Sequence, residues 1–290
     1  MFYKVADHYF QIEIAESSRN SFDMLPSFTP FIVERPEEDL MFSLVVDDTT
    51  KLDNDNEMVG DFELGDGRAK VYLLNDGGYQ YIISDVVGNS CCLLKTDKQF
   101  KHCFCALRGN ERMRRFGLND AVMFVFAFAG SFSQTLLIHA STILNHGFGY
   151  PFIAKSGTGK STHSQLWLDH IPGSELMNDD NPVVRVKDGT PIIYGSPWSG
   201  KTPCYRQICA PLGAITRIDR AKKNSIERLD PVSAFASFLP SCSSMKWDHD
   251  IYDGICSTIS AIVAAVPVFT LHCLPDKEAA IVCNKAISRA

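Results

Sequence analysis

No stretch of this chain is both long enough and apolar enough to cross a bilayer as a helix. The longest apolar runs, AVMFVFAFAG from Ala121 and ISAIVAAVPVF from Ile259, fall short of the roughly 20 residues that a hydrocarbon core requires. MFYKVADHYF does not read as a secretory signal, since Asp7 and His8 interrupt the apolar segment that one would need. Positive charge is not in excess: 28 Lys and Arg stand against 34 Asp and Glu, for a net charge of −6. That excludes the broad basic face by which nucleic acid or an anionic membrane is held. The ten cysteines include no C-x-x-C. His102 beside Cys103 does not make the paired spacing of a tetrahedral zinc site. Most of them sit among apolar residues, as in SNSCCLLK, and read as reduced, buried thiols of a cytoplasmic protein.

What is present is ordinary for a globular protein: 45% hydrophobic and 21% charged residues over 290 positions, enough for one large core or two modest ones. Residues 1–115 are expected to be β-rich, with short strands in MFSLVVDD, GDFELGDGRAKVYLL, YQYIISDVV and SCCLLKT. Turn signals at Asp66-Gly67 and Asn75-Asp76-Gly77-Gly78 separate them. From Leu118 to about Phe132 the chain reads as a buried helix, with Asn119 or Asp120 as its cap. Residues 116–290 read as a second region. QTLLIHASTIL and YPFIAKS form a hairpin across NHGFG, a helix runs from Lys160 to about Leu168, and a further hairpin crosses KDG. A buried strand in PLGAITRIDR, a short helix capped by Asp230, a longer helix from DHDIYDG and a closing strand in PVFTLHCLP complete it. No internal repeat or low-complexity linker divides the chain.

Four stretches carry chemistry. The first is AKSGTGKST, from Ala154 to Thr162, between an expected strand and an expected helix. In a G-x-x-x-x-G-K-[ST] loop, backbone N–H groups wrap phosphate oxygens and the helix N-terminus favours their charge. The lysine reaches the outer phosphates, and the hydroxyl meets Mg²⁺. Ala154, Ser156, Gly157, Thr158, Gly159, Lys160, Ser161 and Thr162 are therefore candidate nucleotide-binding residues. Ala154 replaces the first glycine, which is harmless at negative φ and strained at positive φ.

The second stretch is NDDNP, where Asp179 and Asp180 follow an apolar strand. Together with Ser161 they are the candidate metal ligands, and one of them is a candidate base. Alone, the same composition would be read as an Asx turn. The third is His139 in IHASTIL, on the strand leading to the loop and so within reach of it. His163 reads first as a core residue. The fourth is GSPWSGKTPCYRQ, whose Lys201 and Arg206 are candidate cations for a transferring phosphoryl group, with Trp198 as an apolar wall or a core residue.

In this order the four stretches resemble the HPr kinase/phosphorylase superfamily, from about Leu136 to Ala286. The family's H-A-S corresponds to His139-Ala140-Ser141, its glycine loop to the segment ending Ser156–Thr162, and its D-D to Asp179-Asp180. A G-[ST]-P-W-x-G-K loop like Gly195–Lys201 occurs in the shorter HPr-kinase-like bacterial proteins. The resemblance implies an α/β fold with a mixed sheet, a phosphoenolpyruvate carboxykinase-like P-loop core following the β-rich N-terminal part. It implies ATP and Mg²⁺ as cofactors, Lys160 and Ser161 on the phosphates and metal, and one aspartate as base with the other on the metal. The family's first glycine is absent, as is its phosphorylase-associated segment, so the reverse reaction is not implied.

The leading reading is an ATP- and Mg²⁺-dependent kinase, placing a phosphoryl group on a serine-type hydroxyl of a small protein, a peptide or free serine. The alternatives are a non-catalytic nucleotide-sensing module and a carboxykinase-like lyase. No nucleic acid or membrane partner is expected, and self-association into a homo-oligomer is left open.

Overall fold

The computed structural model describes residues 1–289 apart from 17, 55, 66 and 201. The fold is mixed α/β, and the chain divides into two units, Met1–Ala129 and Gly130–Ala290.

The first unit is built on a nine-stranded sheet. Its strands are β1 (Phe2–Val5), β2 (His8–Ile14), β3 (Ile32–Val33), β4 (Phe42–Val46), β5 (Asn56–Leu64), β6 (Gly67–Leu74), β7 (Tyr79–Asp85), β8 (Ser90–Thr96) and β9 (His102–Leu107). They lie in the order β3-β1-β2-β4-β9-β8-β7-β6-β5. The pairs β2–β4 and β4–β9 are parallel, so the sheet is mixed. β5 to β8 form an antiparallel meander, and the NDGG turn uses Gly77 at φ +85°. Asp66, expected in the turn between β5 and β6, lies outside the described residues.

Helix α1 spans Glu111–Ser131, starting seven residues before the expected Leu118. Its cap is not Asn119 or Asp120 but Asn110, whose Oδ1 accepts the Met113 N–H at 3.1 Å. The first two turns, ERMRRFG, carry a Glu111–Arg115 ion pair at 2.8 Å in place of an apolar stripe, so hydrophobicity does not mark where the helix begins. Further along, Phe124, Phe126 and Phe128 pack on the sheet through Tyr81, Phe10 and Phe100. Gly117 allows close approach, since a Cβ there would lie 2.7 Å from the Cys92 side chain. The composition shift at residue 115 thus falls inside a helix most of which belongs to the first unit.

The second unit contains β10 (Thr135–Leu137), β11 (Ala140–Asn145), β12 (Phe148–Ile153), α2 (Lys160–His170), β13 (Glu175–Asp180), β14 (Val183–Lys187), β15 (Thr190–Tyr194) and β16 (Cys209–Pro211). These are followed by β17 (Ile215–Arg220), β18 (Ser225–Arg228), α3 (Pro231–Phe238), α4 (His249–Ala265), β19 (Val268–Cys273) and α5 (Lys277–Ile287). A six-stranded mixed sheet runs β13-β11-β12-β17-β19-β18, and a four-stranded antiparallel sheet runs β10-β14-β15-β16. IHASTIL is therefore not one strand. It breaks at His139, where the chain leaves the smaller sheet and enters the larger.

Local chemistry explains most of these elements. His146 and Gly147 both take positive φ, at 47° and 79°, in the two-residue turn joining β11 to β12. Asp188 and Gly189 do the same between β14 and β15. Asp230 caps α3 by accepting from the Val232 and Ser233 N–H groups, with Pro231 at the first helical position. One face of the six-stranded sheet buries Tyr150 and Phe152 against Trp167 of α2 and Cys283 of α5. On the other face Gly149 lets β12 approach β15, because a Cβ there would lie 2.2 Å from Ile193 Cγ2. Helix α4 packs on the far side of the smaller sheet.

This contact gives a test. Gly149→Ala should destabilise the second unit by about 1–3 kcal/mol through overpacking, read by denaturant unfolding. In an Ile193→Ala background the added penalty should fall below about 1 kcal/mol, because the clashing methyl is gone. Equal penalties in both backgrounds would show that the two residues do not meet.

Candidate active site

The glycine loop leaves the C-terminal end of β12 and enters α2 at Lys160, the strand–loop–helix order that points N–H groups toward a bound anion. Gly157 and Gly159 hold φ of +74° and +128°, angles that explain why those two positions are glycine. Ala154 is not among the residues at positive φ, so the replaced first glycine costs no strain. Ser156, Ser161 and Thr162 are exposed, and Thr158 is half-buried.

Strand register brings the other segments alongside. Ala140 pairs with Ile153 on one side and Asp180 on the other, and Ser141 pairs with Asp179. His139, immediately before Ala140, stands between Lys160 and Asp180. Lys160 Nζ donates to His139 Nε2 at 2.7 Å, which leaves the ring proton on Nδ1, and Nδ1 lies 3.1 Å from Asp180 Oδ1. The Ala154 carbonyl also accepts from Lys160, at 3.4 Å. Burial holds the Lys160 ammonium below its ordinary pKa, while Asp180 and then Asp179 act in the opposite direction.

The two aspartates differ in their surroundings. Asp180 is a third exposed, with one oxygen near His139 Nδ1 and the other accepting from the Asn181 amide at 2.8 Å. Asp179 is 3% exposed, and its Oδ2 has no hydrogen-bond partner among the described residues. A buried carboxylate oxygen with no donor is costly unless a cation faces it. No group of three or more His, Cys, Asp or Glu side chains is arranged to hold a metal among the described residues. Mg²⁺ does not need one, since it uses one or two carboxylates with phosphate oxygens and water. The donors Asp179, Asp180 and the Ser161 hydroxyl fit such an ion.

Two residues not singled out from the sequence organise the site. Asn178, fully buried, donates through Nδ2 to the carbonyls of Ser196 and Trp198 and accepts the Asp180 and Asn181 N–H groups at Oδ1. It thereby ties the doublet to the GSPW loop, whose Gly200 N–H reaches the Asp179 carbonyl at 2.6 Å. Its signal was in NDDNP itself, as the Asx-turn residue. Arg220, at the end of β17, donates to the carbonyls of Gly157 and Thr158 at 2.5 and 2.9 Å and so fixes the outward edge of the loop. No local pattern marks it.

The structure does not bring Arg206 to this group. Its guanidinium bonds the Leu176 carbonyl at 2.7 Å and the Glu175 carboxylate at 2.9 Å, at the opposite end of β13 from the doublet. A carboxylate on the nearest strand end captures it before it can reach the phosphate side. Lys201 lies outside the described residues. Trp198 is buried, a core residue and not an exposed wall. His163 is likewise core: its ring accepts from Trp167 Nε1 at 3.1 Å and lies edge-on to Phe152.

A cavity of about 450 Å³ opens beside the loop, bounded by Gly157, Gly159, Leu166, Ile218, Leu274 and Pro275. Its walls are largely apolar and it adjoins the glycines of the loop. All ten cysteines are free thiols, and no helix of the described residues is long and apolar enough to cross a membrane.

No protein-family model matches the chain. No curated protein matches it either. Among solved structures it is similar to the Hpr(Ser) kinase/phosphatase from Coxiella burnetii, with a TM-score of 0.30 and 10% identity, over 51% of this chain and 91% of that one. At that score the likeness carries no weight for fold or chemistry.

Two outcomes test this geometry. Ala154→Gly should keep the fold and lose roughly 0.4–1 kcal/mol through unfolded-state entropy alone; a gain in thermal stability would mean that Ala154 is strained. Burial pushes the His163 ring down to about 4 from 6.5. Its folded form is neutral, so the unfolded chain binds the extra proton between those values. Stability is then complete above pH 6.5 and lost as pH falls toward 4, by on the order of 3 kcal/mol. His163→Gln, which keeps an acceptor for Trp167, should flatten the stability profile across that window. An unchanged profile would refute the assignment.

Proposed function

We propose that this chain is an ATP- and Mg²⁺-dependent kinase that transfers the γ-phosphoryl group to a serine-type hydroxyl, on a phosphoenolpyruvate carboxykinase-like P-loop core. The observation that carries this reading is the Lys160–His139–Asp180 chain of close polar contacts, set at the mouth of a glycine loop beside an Asp179 oxygen that has no partner among the described residues. A loop that only bound nucleotide would need Lys160 but not a histidine–carboxylate pair placed against it.

In this reading the loop N–H groups and Lys160 hold the β- and γ-phosphates, and the apolar cavity of about 450 Å³ takes the nucleoside. When Lys160 turns to the phosphates, Nε2 of His139 loses its donor and can accept the hydroxyl proton of the acceptor. Asp180 keeps Nδ1 protonated and stabilises the charged ring. Asp179, Asp180 and Ser161 would hold Mg²⁺, which supplies charge neutralisation on the phosphates when bound. Arg220 keeps the loop in its cradle shape through two carbonyls. A small protein, a peptide or free serine remains the class of acceptor.

The test is incubation of the full chain with ATP, Mg²⁺ and candidate acceptors, with ADP release and acceptor mass as readouts. Lys160→Ala should reduce turnover at least about 100-fold. Asp180→Asn should reduce kcat about 10²–10⁴-fold while nucleotide affinity stays near that of the parent. A nucleotide-sensing module would bind ATP with no acceptor-dependent ADP release, and a carboxykinase-like lyase would act on an oxo acid. Full activity in both variants would overturn the roles given to Lys160 and Asp180, and no acceptor-dependent ADP release with any acceptor class would overturn the kinase reading.

A further inference from the structure

Two cavities border the glycine loop, and they lie on opposite faces of β17. Side chains alternate along a strand: Ile218 and Arg220 line the larger cavity, Arg217 and Asp219 a smaller one of about 320 Å³. The smaller cavity shares the face of the Lys160–His139–Asp180 chain of contacts. Asp180, Ala140, Ile153 and Arg217 form one row of directly paired residues across four strands, and residues paired in this way project to the same side. Two of its walls are bonded to that chain. The Ala154 carbonyl accepts from Lys160 at 3.4 Å, and the Ser241 carbonyl accepts the His139 N–H at 2.7 Å.

The charges in this cavity are unbalanced. Lys155 lines it with an ammonium that has no partner among the described residues. Arg217 gives only Nε to Asp219, at 3.2 Å, so its two terminal NH₂ groups are unengaged among the described residues. Ser237 adds a buried hydroxyl that also has no partner among them. Two cations against one carboxylate, with the planar end of a guanidinium available, are a receptor for a carboxylate. A volume of about 320 Å³ suits one amino acid and not the surface of a folded protein.

We infer that the smaller cavity receives the phosphoryl acceptor, and that this acceptor carries a carboxylate next to its hydroxyl, held by Arg217 and Lys155. The inference rests on the kinase reading. With the nucleoside on one face of β17 and the acceptor on the other, the hydroxyl approaches the γ-phosphorus from the side away from the leaving ADP, as in-line displacement requires. The acceptor O–P bond forms as the bond from phosphorus to the β,γ-bridging oxygen breaks. ADP leaves with that electron pair, and the hydroxyl proton passes to His139 Nε2. A free hydroxy amino acid and the last residue of a peptide chain offer the same chemistry, a hydroxyl two bonds from a carboxylate-bearing carbon.

The experiment uses the full chain with ATP and Mg²⁺, and four acceptors: L-serine, L-serinamide, and one peptide ending in serine with a free or an amidated C-terminus. Acids should exceed the matching amides at least about tenfold in kcat/KM, the worth of one charge-assisted contact. Preference between L-serine and the acid peptide identifies the source. Arg217→Gln and Lys155→Gln should each raise KM for the acid acceptor about tenfold, with kcat and ATP affinity within about twofold of the parent, and erode the preference for acid over amide. Amides used as well as acids, unchanged KM in both variants, or transfer only to an internal serine of a folded protein would overturn the inference and leave the kinase reading intact. If ATP binds but nothing is phosphorylated, calorimetric titration of L-serine and the acid peptide into the ATP-analogue complex decides, and no binding overturns it. Failure to bind ATP at all would overturn both.

Discussion

Ala140 sits between Ile153 and Asp180, paired with both, and the rest of the site depends on that double pairing. The central strand β11 is antiparallel to both neighbours, so its first residue meets the last residue of β12 and the last residue of β13. Three segments far apart in sequence therefore end at one level of one sheet. The glycine loop leaves from the first, the aspartate doublet from the second, and His139 precedes the third. An ordinary two-residue turn at His146-Gly147 fixes the first pairing, so the geometry follows from local chemistry together with a register that one buried face enforces.

The alternation of β17 then separates two environments around a single loop. Ile218 faces the apolar packing of α2 and α5, whereas Arg217 and Asp219 face the side on which His139 and Asp180 lie. A strand in the middle of a sheet has no other way to serve both faces, and a one-residue slip would exchange them. Arg220, at the end of the same strand, bonds the loop carbonyls of Gly157 and Thr158. The element that separates the cavities therefore also holds the loop between them.

Much of this was legible in the sequence because it is written in short-range chemistry. Gly157, Gly159 and Lys160 announce a glycine loop that opens a helix, the NDDNP composition announces a turn that ends a strand, and Asp230-Pro231 announces a helix start. The break at His139 was not legible, because apolar β-branched residues on both sides read as one strand, and only pairing with two different sheets divides them. The start of α1 was hidden for a related reason: its first turns are held by a cap and an ion pair, which leave no hydrophobic period. Arg206 shows the opposite error. A cation near a candidate loop suggested phosphate chemistry, but Glu175, close in space and distant in sequence, takes it. Arg217, three strands from Asp180 along one row, could be placed only once register was known.

The electrostatics of the group explain why its parts belong together. Among the described residues Lys160 is one cation facing two carboxylates, with His139 between it and Asp180. Asp180 has the Asn181 amide on one oxygen and His139 Nδ1 near the other, whereas Asp179 is buried with one oxygen unmatched among the described residues. Among the described residues the group is therefore short of positive charge, and Arg220 places Nε and one terminal nitrogen on the loop carbonyls. A polyphosphate entering alone would deepen the imbalance, whereas one that brings a divalent cation offsets both its own charge and that of Asp179. Lys160 can then exchange a histidine nitrogen for a phosphate oxygen without leaving a carboxylate unopposed. That exchange removes the donor from His139 Nε2 only once nucleotide is in place, so in the proposed mechanism proton acceptance is coupled to substrate binding by hydrogen bonding alone.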